Sequence, residues 1–280
     1  MAHEVTHNPL KGIEANTPDA HYGVYDHGAH VWAWRPAGSD PVLWMSAQSD
    51  FEAGKPIRGG VPVCFPWFGA GHTGALQPGH GFARITAWEL VEHSHEGGGL
   101  RVEYRLGNDL TGDQPDWPYQ YEARMVVLFS DRELSLELTV ENKDEQEFTY
   151  EEALHTYLAV DDVKNVKISG LDGARYLDKV AVDWATQEGD VTITEETDRV
   201  YNSTGAVTVN DGVRKLKITK EGSANTVVWN PWIDKSAAMP DFGDDEWPGM
   251  ICIEAANALD DAITLQPGET HTLVQRVSIA

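Results

Sequence analysis

Apolar and polar side chains alternate along much of this chain, in short runs cut by Gly, Pro, Asp and Asn. Leu100, Val102, Tyr104 and Leu106 alternate with Arg101, Glu103 and Arg105, the period of a strand with one buried face. Leu134, Leu136, Leu138 and Val140 do the same against Ser135, Glu137, Thr139 and Glu141. Together with residues 124–129 they flank Ser130-Asp131-Arg132-Glu133, which predicts a hairpin. Further strands are predicted at 30–34, 42–45, 163–168, 191–194, 213–219, 226–229, 263–265 and 271–279, with a turn at 265–269 before the last. Long helical periodicity is absent. The pattern predicts an all-β, mainly antiparallel sandwich with few short helices. Residues 1–20 read as a polar, loosely held segment, and 21–280 as one domain without repeat or linker.

Two apolar runs carry ionisable groups. Met250-Ile251-Cys252-Ile253 reads as a buried strand that delivers Glu254 at its end. Residues 151–160 place His155 inside an apolar strand. A lone His in such a run is more often a satisfied core group than a catalyst. Its neighbours Glu151 and Glu152 are expected to raise its pKa and keep it protonated.

Length and composition limit what these groups can serve. A chain of 280 residues, 41% apolar, buries a core without staples. Met1-Ala2-His3-Glu4-Val5 shows no basic and then apolar leader pattern, and no apolar run approaches the roughly 20 residues of a membrane span. Cys64 and Cys252 lie in apolar runs and read as reduced core residues, which implies a cytoplasmic setting. The net charge of −24 disfavours nucleic acid and anionic membranes as partners. An anionic substrate then needs its own Arg residues in the site.

Such residues exist. Arg58 precedes Gly59-Gly60, where backbone of positive φ or close to a ligand is allowed, and Pro62 and Pro66 argue against a central strand there. A structural loop and a site wall both fit this stretch. His80-Gly81-Phe82-Ala83-Arg84 offers an imidazole and a guanidinium around a permissive Gly. Arg58 and Arg84 suit bidentate phosphate contacts or surface ion pairs. Residues 195–201 alone read as a solvated turn. The G-x-G-x-x-G at 69–74 lacks a preceding strand and a following helix, and Asp241-Phe242-Gly243 lacks the other kinase motifs, so neither implies a nucleotide. His93-Ser94-His95-Glu96 runs into Gly97-Gly98-Gly99, a hairpin tip rather than a zinc site, and no bound metal is expected.

Taken in order, R-G-G-V-P-V-C-F-P-W-F-G (58–69), H-G-F-A-R (80–84), E-A-L-H-T-Y (152–157), E-T-D-R-V-Y (196–201), W-N-P-W-I-D-K (229–235), D-F-G-D-D-E-W (241–247) and I-C-I-E-A-A-N (251–257) resemble the D-hexose-6-phosphate mutarotases, also called glucose-6-phosphate 1-epimerases. These belong to the aldose 1-epimerase, galactose mutarotase-like superfamily. The resemblance runs from about residue 22 to the end. It implies a β-supersandwich with its site in a cleft across one sheet, and no cofactor. It places the general acid on His155 and the general base on Glu254. Sugar-phosphate contacts fall on Arg58, Arg84 and Asp198, with His80 close to the ring. Relatives often carry a polar residue where this chain has Gly79, and Gln77 is the candidate substitute.

The implied chemistry is consistent with those residue types. Anomer exchange needs the sugar ring opened, one group taking the C1 hydroxyl proton while another donates to the ring oxygen. Glu254 ionised and His155 protonated is the expected starting state. The implied partner is a small sugar phosphate, bound by a monomer. Two other readings fit parts of the sequence. A non-catalytic sugar-binding module would use Trp67, Trp229 and Trp232, and an epimerase for neutral sugars such as galactose would leave the two Arg residues without a partner.

Overall fold

The computed structural model describes residues 2–7, 9–17, 20–96 and 99–280. Two large antiparallel sheets dominate, one of eight strands and one of nine. The nine-stranded sheet contains Gly99–Gly107, Tyr121–Phe129, Glu133–Asn142 and Thr270–Ile279 as neighbours. Here the predicted alternation appears: Leu134, Leu136, Leu138 and Val140 are fully buried. They share one core with Ile251, Ile253 and Ala255 of the eight-stranded sheet, so the two sheets pack face to face. The hairpin at 130–133 forms, with Phe129 opposite Leu134.

The eight-stranded sheet is the one that matters for chemistry. Its centre runs Arg175–Asp178, Thr197–Asn202, Asn225–Asn230, Met250–Asn257 and then Glu152–Leu154, with Val63–Cys64 beyond. Pro62 and Pro66 bracket that last two-residue strand at the sheet edge, where a missing N–H does no harm.

Several expectations are corrected. The described residues before His21 are largely strand rather than a loose segment: His3–His7 pairs with Leu10–Asn16, which pairs in turn with His21–Tyr25. Ile13 is fully buried and Leu10 nearly so. The apolar residues there are too sparse to show a period, and the neighbouring strand supplies the order. Residues 42–45 contribute only two isolated bridges, Leu43 to Leu158 and Met45 to Gly59. The predicted strand at 163–168 begins as a 3-10 turn, Val163–Asn165, because the Asp162 side chain accepts from the Lys164 N–H. Val213 lies in a turn closed by the Asp211 carboxylate, which accepts from the N–H groups of Val213 and Arg214, and the strand starts at Lys215. At 191–194 only Val191–Thr192 is strand. Trp232–Ala238 is a helix too short for its period to show in the sequence. The predicted tip at Gly97 and Gly98 lies outside the described residues. Among the described residues no helix is long and apolar enough to cross a membrane.

Candidate active site

The site is built around a gap in one ladder. Met250–Asn257 pairs along its length with Asn225–Asn230. On its other side it pairs with Glu152–Leu154 and, after two unpaired residues, with Tyr157–Ala159. Leu154 faces Ala255 before the gap and Tyr157 faces Cys252 after it, so the register does not slip. His155 therefore stands across from Glu254, and Thr156 across from Ile253. This corrects two expectations: His155 sits between two short strands rather than inside one, and Glu254 is in the middle of its strand, not at its end. The outer side of the gap is held by the loop after Arg58, with His155 N donating to Pro62 O at 3.0 Å and Tyr157 N to Gly60 O at 2.9 Å.

Side chains alternate across a sheet, so cross-strand partners share a face. Val227 faces Glu254, and Trp229 faces both Cys252 and Asp198. That face forms the floor of a cavity of about 210 Å³. Arg58, His80, Arg84, His155, Asp198 and Glu254 all line it, and Phe68, Lys179, Trp229 and Lys235 complete the wall. A larger groove of about 890 Å³, walled by Trp67, Trp117 and Tyr119, contains none of those six residues.

His155 Nδ1 lies 3.3 Å from Glu254 Oε1, close enough for an ion pair but not aligned as a hydrogen bond. Glu254 Oε2 is buried without a partner among the described residues, so it can accept from a ligand. The imidazole is stacked on Tyr157, ring centroids 4.7 Å apart and nearly parallel, and meets the Trp229 indole edge-on. Burial, then Asp198, pushes the Glu254 carboxyl well above the usual carboxylate range. Burial, then Arg84, Arg58 and Lys179, pushes His155 well below the usual imidazole value. Both shifts favour the neutral forms, the opposite of the ionised pair expected from the sequence. Nor do Glu151 and Glu152 act on His155. Glu151 accepts from the N–H groups of Phe68 and Leu259, and Glu152 pairs with Asn257 and His271.

The cations differ in how they are compensated. Arg58 is bound by Asp241 through Nε and Nη2, each 3.2 Å, and donates Nη1 to the Tyr157 hydroxyl at 3.0 Å. Of its five N–H groups two remain for a ligand. Asp241 comes from a loop tied down by Glu246, which accepts from Ser46, the Ala47 N–H and the Gly243 N–H. Arg84 has no carboxylate partner among the described residues. One Nη2 bond to Gly79 O is made at 2.6 Å, while its Nε is buried with no partner. A nearly buried guanidinium without a counter-ion is costly to retain unless an anion joins it. Lys179 lies 3.4 Å from Asp198 and over the Phe68 ring, and Lys235 is paired with Glu196 at 2.8 Å.

His80 adopts a positive φ of 63°, and Gly81 follows at 76°. A Cβ at Gly81 would lie 2.0 Å from Phe65 O, so only glycine lets this turn press against the loop. The Gly69 N–H donates to His80 Nδ1 at 3.3 Å. Burial and Arg84 hold this imidazole neutral, so Nε2 carries the proton and is a donor.

Two further expectations are corrected. Gln77 is exposed and not in the cavity wall; Gly79 contributes its carbonyl, to Arg84. Of the three tryptophans suited to a sugar only Trp229 lines the cavity, for Trp67 faces the larger groove and Trp232 packs on Trp247. The His95 ring accepts from the Ala2 N–H. Lys179 and Lys235 went unread because a lone Lys in a polar segment carries no signal. Only the pairing of 179 with 198, Lys179 N to Asp198 O at 2.8 Å, brings the first to the site.

Comparison with known proteins agrees with this architecture. The family profile described as "Aldose 1-epimerase" matches residues 13–278. A protein of Cenchrus ciliaris named "Putative glucose-6-phosphate 1-epimerase" is 36% identical over 259 residues, 88% of this chain and 77% of its own. One of the same name from Escherichia coli strain K12 is 34% identical over 90% of this chain and 85% of its own. The crystal structure of a "putative mutarotase" from Salmonella typhimurium superposes with a TM-score of 0.89 at 30% identity, covering all of this chain and 93% of its own. The galactose 1-epimerase of Lactobacillus acidophilus shares the fold alone, with a TM-score of 0.76 at 14% identity over 100% and 98% of the two chains. The chain belongs to the aldose 1-epimerase family, and its fold is the galactose mutarotase-like β-sandwich.

Proposed function

We propose that this protein is an isomerase that interconverts the α and β anomers of a hexose 6-phosphate, with glucose 6-phosphate as its substrate. The observation that carries the reading is Arg84, whose buried Nε has no partner and which has no carboxylate among the described residues, in the same cavity as the His155–Glu254 pair. A neutral sugar leaves that cation uncompensated, whereas a phosphate completes it. The names of the relatives point the same way. Arg84 is the main phosphate anchor in this reading. Arg58 adds its two remaining N–H groups, Lys179 and Lys235 add charge, and Asp198 and His80 Nε2 hold sugar hydroxyls.

Glu254 takes the proton from the C1 hydroxyl as the C1–O5 bond breaks, and its electron pair goes to O5, which His155 protonates. The open-chain aldehyde results. Rotation about C1–C2 presents the other face of the carbonyl. His155 then takes the O5 proton, O5 attacks C1, and the Glu254 carboxyl returns its proton to O1. Ring opening thus moves the pair's one proton from imidazole to carboxyl, and closing moves it back. The neutral forms that burial favours are the ones that accompany the open chain. Each positioned group supplies about 10²–10⁴-fold. The enzyme acts as a cytoplasmic monomer in this reading, consistent with two free buried cysteines, and as one domain that includes its N-terminal strands.

The test is anomer exchange of glucose 6-phosphate and of galactose, followed by polarimetry or exchange NMR. Acceleration of the phosphorylated sugar well beyond that of galactose is expected. Equal rates on the two, or none above buffer, would overturn the reading.

A further inference from the structure

The gap that places His155 opposite Glu254 leaves a backbone debt on the other side of the sheet. In a regular ladder Thr156 and Ile253 would exchange two N–H···O bonds. Only one is made, from Ile253 N to Thr156 O at 3.1 Å. The other donor, Thr156 N, turns back to Leu154 O at 2.9 Å. Ile253 O is thereby left without a ladder donor in the fully buried space between the sheets.

Gln275, on the Thr270–Ile279 strand of the opposite sheet, fills that place. Its Nε2 donates to Ile253 O at 2.8 Å, and its Oε1 accepts from the Thr156 hydroxyl. The carbonyl can only accept, which fixes the orientation of the amide. Gln275 and Thr156 are both fully inaccessible. A polar side chain in an otherwise apolar inter-sheet core is retained only where its bonds are needed.

We infer that Gln275 is a positioning residue for the acid–base pair, its amide standing in for the missing rung and holding the ladder open where His155 faces Glu254. This rests on the reading of those two residues as acid and base. Thr156 and Ile253 are the chain neighbours of His155 and Glu254, so the separation of the first two sets that of the second. Without the amide, Thr156 N–H is free to return to Ile253 O, which closes the ladder and turns His155 away from its stacked position on Tyr157. Misplacing a reacting group by about 1 Å costs on the order of 10²-fold in rate.

The experiment compares Gln275→Met, Gln275→Glu, Thr156→Val and Glu254→Gln in glucose 6-phosphate anomerisation across pH. Gln275→Met should lower kcat about tenfold or more and leave KM within about twofold, because it touches no substrate. Gln275→Glu regains both bonds only as a neutral carboxylic acid, so its kcat relative to the parent should rise as pH falls. A parent-like kcat in Gln275→Met, or a Gln275→Glu variant whose kcat relative to the parent does not change with pH, would overturn the inference. Should Gln275→Met not fold, Thr156→Val is judged by the same split between kcat and KM. Glu254→Gln separates the two failures. If it is inactive while the Gln275 variants are normal, only the positioning role falls; if it keeps the parent rate, the acid–base reading falls and the positioning role with it.

Discussion

His155 and Glu254 face each other across an unslipped gap between two short strands, with Nδ1 and Oε1 3.3 Å apart. They share a face of the sheet and a cavity, yet no aligned hydrogen bond joins them. In the proposed mechanism a sugar ring engages both. Glu254→Gln keeps size but cannot take the C1 hydroxyl proton, and His155→Asn cannot donate as an imidazolium. Each should lower kcat about 10²-fold or more with little change in KM, and the double variant should be scarcely slower than the single ones. Steady-state anomerisation of glucose 6-phosphate checks this, and near-parental rates for Glu254→Gln would end the mechanism.

Arg84 and Arg58 should respond differently to truncation. Arg84→Met removes a part-buried cation that has no carboxylate among the described residues, so the ligand-free protein should hold or gain thermal stability while KM for the sugar phosphate rises about tenfold or more. Arg58→Ala strands Asp241 and the Tyr157 hydroxyl, so it should lower Tm as well as raise KM. Arg84→Lys should rescue poorly, since it lacks the planar fork. Thermal melts with and without phosphate, alongside kinetics, separate the two residues.

The pH profile of kcat/KM should be a bell whose limbs belong to the pair rather than to either residue. In the proposed mechanism the active form holds one proton between His155 and Glu254. With the imidazole pushed down and the carboxyl pushed up, the second proton is gained on the acid side by His155 and the last is lost on the basic side by Glu254. Replacing Asp198, whose charge helps to raise Glu254, with Asn should draw the basic limb to lower pH. A basic limb that does not move in Asp198→Asn would count against this assignment.

Acid stability should depend on His30. Its ring is fully buried beneath Gly60, and burial lowers its pKa from 6.5 to about 3. Between those values the unfolded chain binds a proton that the folded one refuses. Stability is therefore complete above pH 6.5 and falls as pH drops toward 3, at about 1.4 kcal/mol per unit from this group. Urea unfolding at pH 7.5 and 4.5 should show a loss smaller by about 2–3 kcal/mol in His30→Leu than in the parent. An equal loss in both would refute this assignment.

The chain by itself determined the alternating strands of the nine-stranded sheet and most of the residue types of the candidate site. The alternation at 100–106 and 134–140 needs only local sequence, because each side chain's face follows from its parity along the strand. Five of the six candidate site residues were legible for a related reason: ionisable groups inside apolar or Gly-rich runs stand out before any fold is known, whereas Asp198 lies in a stretch that alone reads as a solvated turn and is singled out only by the family resemblance. Tertiary structure alone decided how they meet. The gap at 155–156 depends on Thr156 N turning back to Leu154 and on Gln275 reaching over from another sheet, and neither leaves a periodic trace. Lys179 reaches the cavity only through its pairing beside Asp198. Even the protonation of the pair was not readable: His155 beside two glutamates in sequence suggests an imidazolium, but alternation and the sheet send those carboxylates elsewhere, and burial among three cations reverses the sign.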